Sequence, residues 1–434
     1  MNISSIKKND PRLAALVKAE ETRQRTGLEL IPSENYVSRA VLEALGTVFT
    51  NKYSEGYPGK RYYGGQVNTD AVEKIAIGRA KKIFHCDHAN VQPYSGAPAN
   101  LATYFAWMEP GDTIIGMELS HGGHLTHGDP RTAAAKVFNF IRYGIKNIET
   151  GEIDYEHLYD LAIKHKPKMI LAGFSAYPRE LDYKKFVDIA KEVGAVTIAD
   201  IAHIAGLIAG KALKNPFDAG FHICTSTTHK TLRGPRGGLI LSNGIVSNPL
   251  KPIDKKIENL PTLIDRSVFP GIQGGPHINV ILAKAVAFSE ALQPEFRIYA
   301  SQVVKNAKRL AKKLMEKGFK LVTNGTDNHL LLVDMITSFN VSGGEAEKLY
   351  DSLGLTLNKN MIPNDSRKPY DPSGIRLGTP AITTRGMKEK DMDHIAGWMY
   401  DGIVHKKDEK YLNVLKEEII EYCMQFSLPS DNKS

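Results

Sequence analysis

Cysteine is scarce in this chain: Cys86, Cys224 and Cys423 are the only three in 434 residues. That rules out a disulfide framework and fits a reducing compartment. No apolar run approaches membrane-spanning length, which excludes a helical membrane protein. The N-terminus, Met1 to Lys8, has no apolar core and does not read as a signal peptide, so a cytoplasmic location is expected. Neither Gly-x-Gly-x-x-Gly nor a P-loop pattern occurs, which leaves dinucleotide and nucleoside-triphosphate binding without support. Arginine-rich tracts and basic runs interleaved with aromatics are also missing. The net charge of +8 therefore reads as a solvated surface suited to small anions, with no specific nucleic-acid partner expected. What remains is an ordinary soluble composition, long enough for a large core and two domains.

The chain is organised around Thr225 to Gly238. Phe221–Cys224 and Gly237–Ser242 read as buried strands, which puts Lys230 on the loop between them. Like charge from Arg233 and Arg236, together with partial burial, disfavours an ammonium there. A lysine tuned downward can act as an amine nucleophile and form a Schiff base; the alternative is a surface lysine among other cations. Upstream, Ala195 to His203 reads as a buried strand ending in Asp200 and His203. A carboxylate in that position is costly unless paired. The protonated ring nitrogen of pyridoxal phosphate is one such partner; a structural salt bridge is another.

Further candidates follow from local chemistry. Asp10-Pro11 is a helix start. Gln92 to Asn100 ends a strand and opens a helix, so Ser95, Gly96 and Ala97 offer a hydroxyl and free N–H groups to a phosphate, or an ordinary cap. His121, His124 and His127 are spaced by three residues and invite a metal reading. The glycines around them suit close approach to a flat ligand better, and no metal is expected. His85-Cys86-Asp87-His88 lacks the second half of a zinc site and reads as a solvated turn. Strand and helix alternate from about residue 90 to 240, which predicts a mainly parallel sheet with helices on both faces. A helical stretch from 280 to 317 should join the domains. An amphipathic helix over 411–426 and a frayed tail after Ser427 complete the chain.

The Asp200 to Leu207 and Thr228 to Gly238 segments together resemble serine hydroxymethyltransferases, pyridoxal phosphate enzymes of the aspartate-aminotransferase fold, and the resemblance runs the length of the chain. It implies an α/β large domain with a seven-stranded-type sheet over 1–280, including an N-terminal arm, and a smaller α+β C-terminal domain over 281–434. It implies pyridoxal 5'-phosphate held covalently at Lys230, with tetrahydrofolate as cosubstrate and serine and glycine as substrates. Asp200 would meet the ring nitrogen, His124 would stack on the ring, and His203 would orient the substrate. Thr227 and His229 would shape the exchange at Lys230. Ser95, Gly96, Ala97, Ser175 and Arg236 would also hold the cofactor. Tyr53, Gly274 and Gly275 would reach the neighbouring subunit's cofactor in a homodimer with shared sites. Glu55 would handle the proton, with Tyr63 beside it. Ser33 and Arg376 would bind the substrate carboxylate. Leu119, Gly123, His124, Leu125 and Asn360 would meet the folate. Departures from the family pattern stand at Pro32, Ala97, Ile272, Asn279 and Lys368-Pro369-Tyr370. A folate-independent β-hydroxy amino acid aldolase, or an inactive homologue kept as a scaffold, would share part of this set.

Overall fold

The structure is a computed structural model and describes residues 3–244 and 259–431. It divides into two compact units, Ala40–Ser301 and Met1–Arg39 with Gln302–Ser434. These differ from the ranges expected above at both ends. Leu28–Glu29 pairs in parallel with Leu355–Thr356, so the N-terminal segment belongs with the C-terminal residues. Among the described residues, no helix is long and apolar enough to cross a membrane.

The Ala40–Ser301 unit is built on a seven-stranded sheet. Its strands are β1 (His88–Asn90), β2 (Thr113–Met117), β3 (Asn139–Tyr143), β4 (Met169–Gly173), β5 (Val196–Asp200), β6 (Ile223–Thr227) and β7 (Gly238–Ser242). Their order is β1-β7-β6-β5-β4-β2-β3, with β7 antiparallel to both neighbours and the remaining pairs parallel. The central strands β4 to β7 are buried along their whole length, as a sheet covered on both faces requires. Helix Tyr183–Val193 shows how the cover is made. Asp182 caps it by accepting from the N–H groups of Lys184 and Lys185, and Gly194 ends it at φ +68°. It buries Phe186, Val187, Ile189 and Ala190. Each large apolar side chain sealed in this way is worth on the order of 2 kcal/mol. The register sets Asp200 beside Gly173 and Thr225, so the strand ends that carry chemistry share one edge.

The other unit holds an antiparallel sheet of β8 (Lys320–Leu321), β9 (Leu330–Asp334), β10 (Asn358–Asn360) and β11 (Gly374–Gly378), in the order β8-β9-β11-β10. Its core includes Leu331, Val333, Ile375 and Leu377 from the sheet, and Tyr350, Ile395 and Met399 from helices.

Three sequence expectations need correction. The 280–317 helix is two helices, Ile278–Ala291 and Pro294–Glu316. Pro294 has no N–H to continue the first and is pre-set to begin the second. The His85–His88 segment is not simply solvated: Cys86 is buried, and His88 opens β1 with Nε2 3.0 Å from Asp265 Oδ1. Residues 428–431 of the expected frayed tail are held in place, and 432–434 lie outside the described residues. Leu428 is buried against Tyr36 and Ala381, and the Asp431 carboxylate accepts from Arg25 Nη1 at 2.6 Å.

Candidate active site

Asp200 is the node of the larger unit. Its Oδ2 accepts from Asn100 Nδ2 at 2.8 Å and lies 3.0 Å from His127 Nε2; its Oδ1 accepts from the Ala202 N–H at 3.1 Å. Both donors are themselves oriented. Thr225 donates to Asn100 Oδ1 at 2.5 Å, which turns the Asn100 amide nitrogen toward the acid. His127 Nδ1 accepts from the His124 N–H at 3.1 Å, so a neutral His127 carries its hydrogen on Nε2, facing Asp200. Burial opposes the charge on Asp200. The hydrogen bond from His127, the field of His124 and the bond from Asn100 outweigh it, so the carboxyl is held well below the usual carboxylate range. The result is an anion at the end of a buried strand.

His124 is half-buried, with Nδ1 2.7 Å from Thr126 Oγ1. One donor atom each from His124, His127 and Asp200 lies within 4.8 Å of the others, whereas His121 Nδ1 instead accepts from the Ile145 N–H at 2.8 Å. The three histidines of the sequence pattern therefore do not converge. Leu119 and Leu125 lie on the turns after β2; Leu119 is half-buried and Leu125 exposed.

Lys230 is buried on the loop between β6 and β7. Thr228 closes that loop, its hydroxyl donating to Pro235 O at 2.6 Å and its carbonyl accepting from the Gly234 N–H at 2.6 Å. Thr231 ties it to the Asp200 side, donating to His203 O at 2.8 Å and accepting from the Gly206 N–H at 3.0 Å. Thr227 donates to Ala202 O at 3.4 Å. Thr227 also meets the helix that starts at Gly96: a Cβ on Gly96 would sit 2.8 Å from Thr227 Cγ2, so only glycine allows that approach. Ser95 precedes that helix with no capping bond from its side chain, and Ser95 and Gly96 are half-buried while Ala97 is exposed. Ser175 follows β4, fixed by its N–H to Gly122 O at 2.7 Å. His229 is pushed down to about 3 by burial, then by Arg236 and Lys230, so its ring is neutral at ordinary pH. Arg233 lies over the Tyr299 ring, 4.0 Å from its centroid, and Arg236 is exposed.

A second cluster forms in the same unit. Tyr53 donates to Glu55 Oε1 at 3.2 Å and meets Tyr63 edge-on at 5.1 Å. A Cβ on Gly274 would lie 3.2 Å from Glu55 Oε1, and one on Gly275 would lie 3.1 Å from Tyr53 Cζ. Tyr94, next to Ser95, donates to Gly275 O at 2.7 Å. The Glu55 segment leads into a short ribbon, Gly56–Tyr57 against Lys60–Arg61. Its anchor is Arg61, which donates to Ser54 O and Gly56 O at 2.9 and 2.8 Å, on either side of Glu55, and pairs with Asp70 and Glu73 at 2.9 and 2.5 Å.

In the Met1–Arg39 with Gln302–Ser434 unit, Arg376 is buried on β11, donates from Nε to Asn358 Oδ1 at 3.1 Å, and is pulled down to about 10 by burial. The Gly378 N–H donates to Leu30 O at 2.7 Å, and the Gly378 Cα stands against Pro32, which brings the half-buried Ser33 to the end of the Arg376 strand. Asn360 Nδ2 donates to Met361 O at 2.7 Å.

Asn100, His127 and Arg61 are the supporting residues that sequence reasoning missed. Asn100 and His127 lay inside quoted motifs. Only the fold, 100 and 73 residues along the chain, brings them to Asp200.

The larger unit is thus a mainly parallel sheet with a buried acid at one strand end and a buried lysine one crossover later. The family model of serine hydroxymethyltransferase matches residues 6–399. A serine hydroxymethyltransferase of Koribacter versatilis is 48% identical over 430 residues, covering 99% of this chain and 97% of that protein. The chain belongs to the serine hydroxymethyltransferase family, and it is an enzyme of that activity.

Proposed function

We propose that the chain converts serine and tetrahydrofolate to glycine and 5,10-methylenetetrahydrofolate, reversibly, with pyridoxal phosphate held at Lys230. The observation that carries the reading is Asp200, kept anionic at the sheet edge by His127 and Asn100. Bound there, the cofactor supplies a protonated pyridine ring that draws electrons from the bond to be broken. The residues would hold it as follows: Asp200 would pair with the ring nitrogen, His124 would cover the ring, and Ser95, Gly96 and Ala97 would take the phosphate, with Ser175 and Arg236 as further contacts. From the neighbouring subunit, Gly274 and Gly275 would add N–H donors and Tyr53 would reach the phosphate.

Arg376 and Ser33 hold the substrate carboxylate, a planar guanidinium matching it bidentately. Glu55 moves the proton of the serine hydroxyl, and Tyr63 stands beside it. His203 orients the substrate, and Thr227 and the neutral His229 shape the exchange at Lys230. Leu119, Gly123, His124, Leu125 and Asn360 form the folate side. The test is glycine formation from serine with and without tetrahydrofolate. Strong dependence on tetrahydrofolate supports the reading, and equal rates would indicate an aldolase.

Arg376→Ala is expected to weaken serine saturation roughly a hundredfold, the worth of a charge-assisted bidentate pair, while cofactor absorbance is unchanged. Unaltered saturation by serine would remove Arg376 from that role.

The working form is proposed to be a homodimer with shared sites, Tyr53 and Gly274 serving the neighbour's cofactor. Lys230→Ala and Tyr53→Ala homodimers should each be nearly inactive. In the hybrid, one site collects both lesions and the other collects none, so mixing with subunit exchange should restore about half the activity per hybrid dimer. A mixture that exchanges and stays inactive would place Tyr53 in its own subunit's site.

A further inference from the structure

Lys284 lies in helix Ile278–Ala291, and its side chain is 1% exposed. Its Nζ donates to three backbone carbonyls: Val91 at 2.7 Å, Gly238 at 2.8 Å and Pro93 at 3.1 Å. Those three carbonyls come from the two chain segments that matter most. Val91 and Pro93 lead from β1 to Ser95, and Gly238 is where the Lys230 loop returns to the sheet. The same segments meet directly, since the Gly238 N–H donates to Pro93 O at 2.9 Å. The lysine stem runs against Gly237, where a Cβ would fall 2.3 Å from Lys284 Cε. Gly238 lies as close to Ser95, where a Cβ would fall 2.3 Å from Ser95 O. The ammonium is therefore wrapped by the framework that joins the Ser95–Ala97 turn to the Lys230 loop.

No carboxylate pairs with Lys284 among the described residues. Glu73 is the acid whose field reaches it. That carboxylate is already taken by Arg61 at 2.5 Å and by Gln92 Nε2 at 2.8 Å. Burial accordingly pulls Lys284 down to about 7, with Glu73 only partly opposing. A buried cation held by neutral dipoles alone is costly unless an anion lies nearby.

We propose that Lys284 is a positioning residue for the cofactor phosphate: it locks the Ser95–Ala97 cradle to the Lys230 loop and supplies the buried positive charge that the phosphate balances. This rests on the reading above that the phosphate sits at Ser95–Ala97. The other cations nearby supply little of that charge from within. His229 is neutral, and Arg236 is exposed to solvent, where its charge is screened.

The test compares two ligands that share an aldehyde and differ in the phosphate. Wild-type enzyme, Lys284→Met and Lys284→Gln are stripped of cofactor, then titrated with pyridoxal phosphate and with pyridoxal, binding being followed by absorbance. A lysine that only holds the fold would weaken both ligands equally when lost. The preference for the phosphorylated ligand is expected instead to fall about tenfold in both variants, as loss of a buried charge that acts on the bound anion requires. Lys284→Gln keeps amide donors for the carbonyls, so it carries the comparison if Lys284→Met does not fold. An unchanged preference in the folded variant would overturn the proposal. If the wild-type protein bound neither ligand, the assignment of the cofactor site itself would fail.

Discussion

Asp200→Asn should lower turnover by about a thousandfold, the loss expected when one partner of a buried, charge-assisted pair can no longer ionise. The asparagine is nearly isosteric but keeps a single oxygen, which can serve either the Ala202 N–H, now at Oδ1, or the Asn100 amide, now at Oδ2, and not both. The fold should survive, and the change should appear in kcat more than in serine saturation. Full turnover in a folded Asp200→Asn enzyme would remove the acid from the chemistry. A pH consequence follows from the same geometry. The folded carboxyl titrates below its unfolded value of about 3.9. Its contribution to stability is therefore complete above that value and is lost only as pH falls toward the lower folded value. Asp200→Asn should accordingly flatten the acid limb of the unfolding curve below about pH 4. A limb identical to wild type would contradict the depressed pKa.

Glu55→Gln should be as damaging by another route. The amide is the same size and can still accept from Tyr53, but it cannot take or return a proton. General acid–base catalysis of this kind is worth about a hundred- to ten-thousandfold, so tetrahydrofolate-dependent conversion of serine should nearly vanish. Cofactor absorbance and the spectral response to added amino acid should persist, because the Lys230 loop and Asp200 network are untouched. A Glu55→Gln enzyme with wild-type turnover would move the proton transfer to another group. Arg61 offers a contrast. It clamps the Ser54 and Gly56 carbonyls on both sides of Glu55 from a nearly buried position.

Much of this arrangement was legible in the sequence because its signals are local. The Asp10 cap is one. The apolar run after Lys230 set β7 to within one residue, and the run before Asp200 set the start of β5, which ends at Asp200, three residues short of the expected His203. What was hidden depends on contacts distant in sequence. The polarity of His127 could not be read from a triple-histidine pattern, because the Nδ1 bond from the His124 N–H and the Nε2 contact with Asp200 exist only once β2 and β5 share a sheet. Lys284 sat in a helix whose apolar face gave no hint that its ammonium would meet three carbonyls. The stretch after Ser427 read as a frayed tail, yet Leu428 finds an apolar site and Asp431 a cation, neither of which is near in sequence.

The most direct measurement of the central claim is chemical. The enzyme loaded with pyridoxal phosphate is reduced with borohydride and digested, and the modified lysine is located by mass spectrometry. The account predicts a single pyridoxyl group on Lys230, on a protein that was yellow before reduction. A label on any other lysine, including Lys284, or no label on a protein that binds the cofactor, would contradict it.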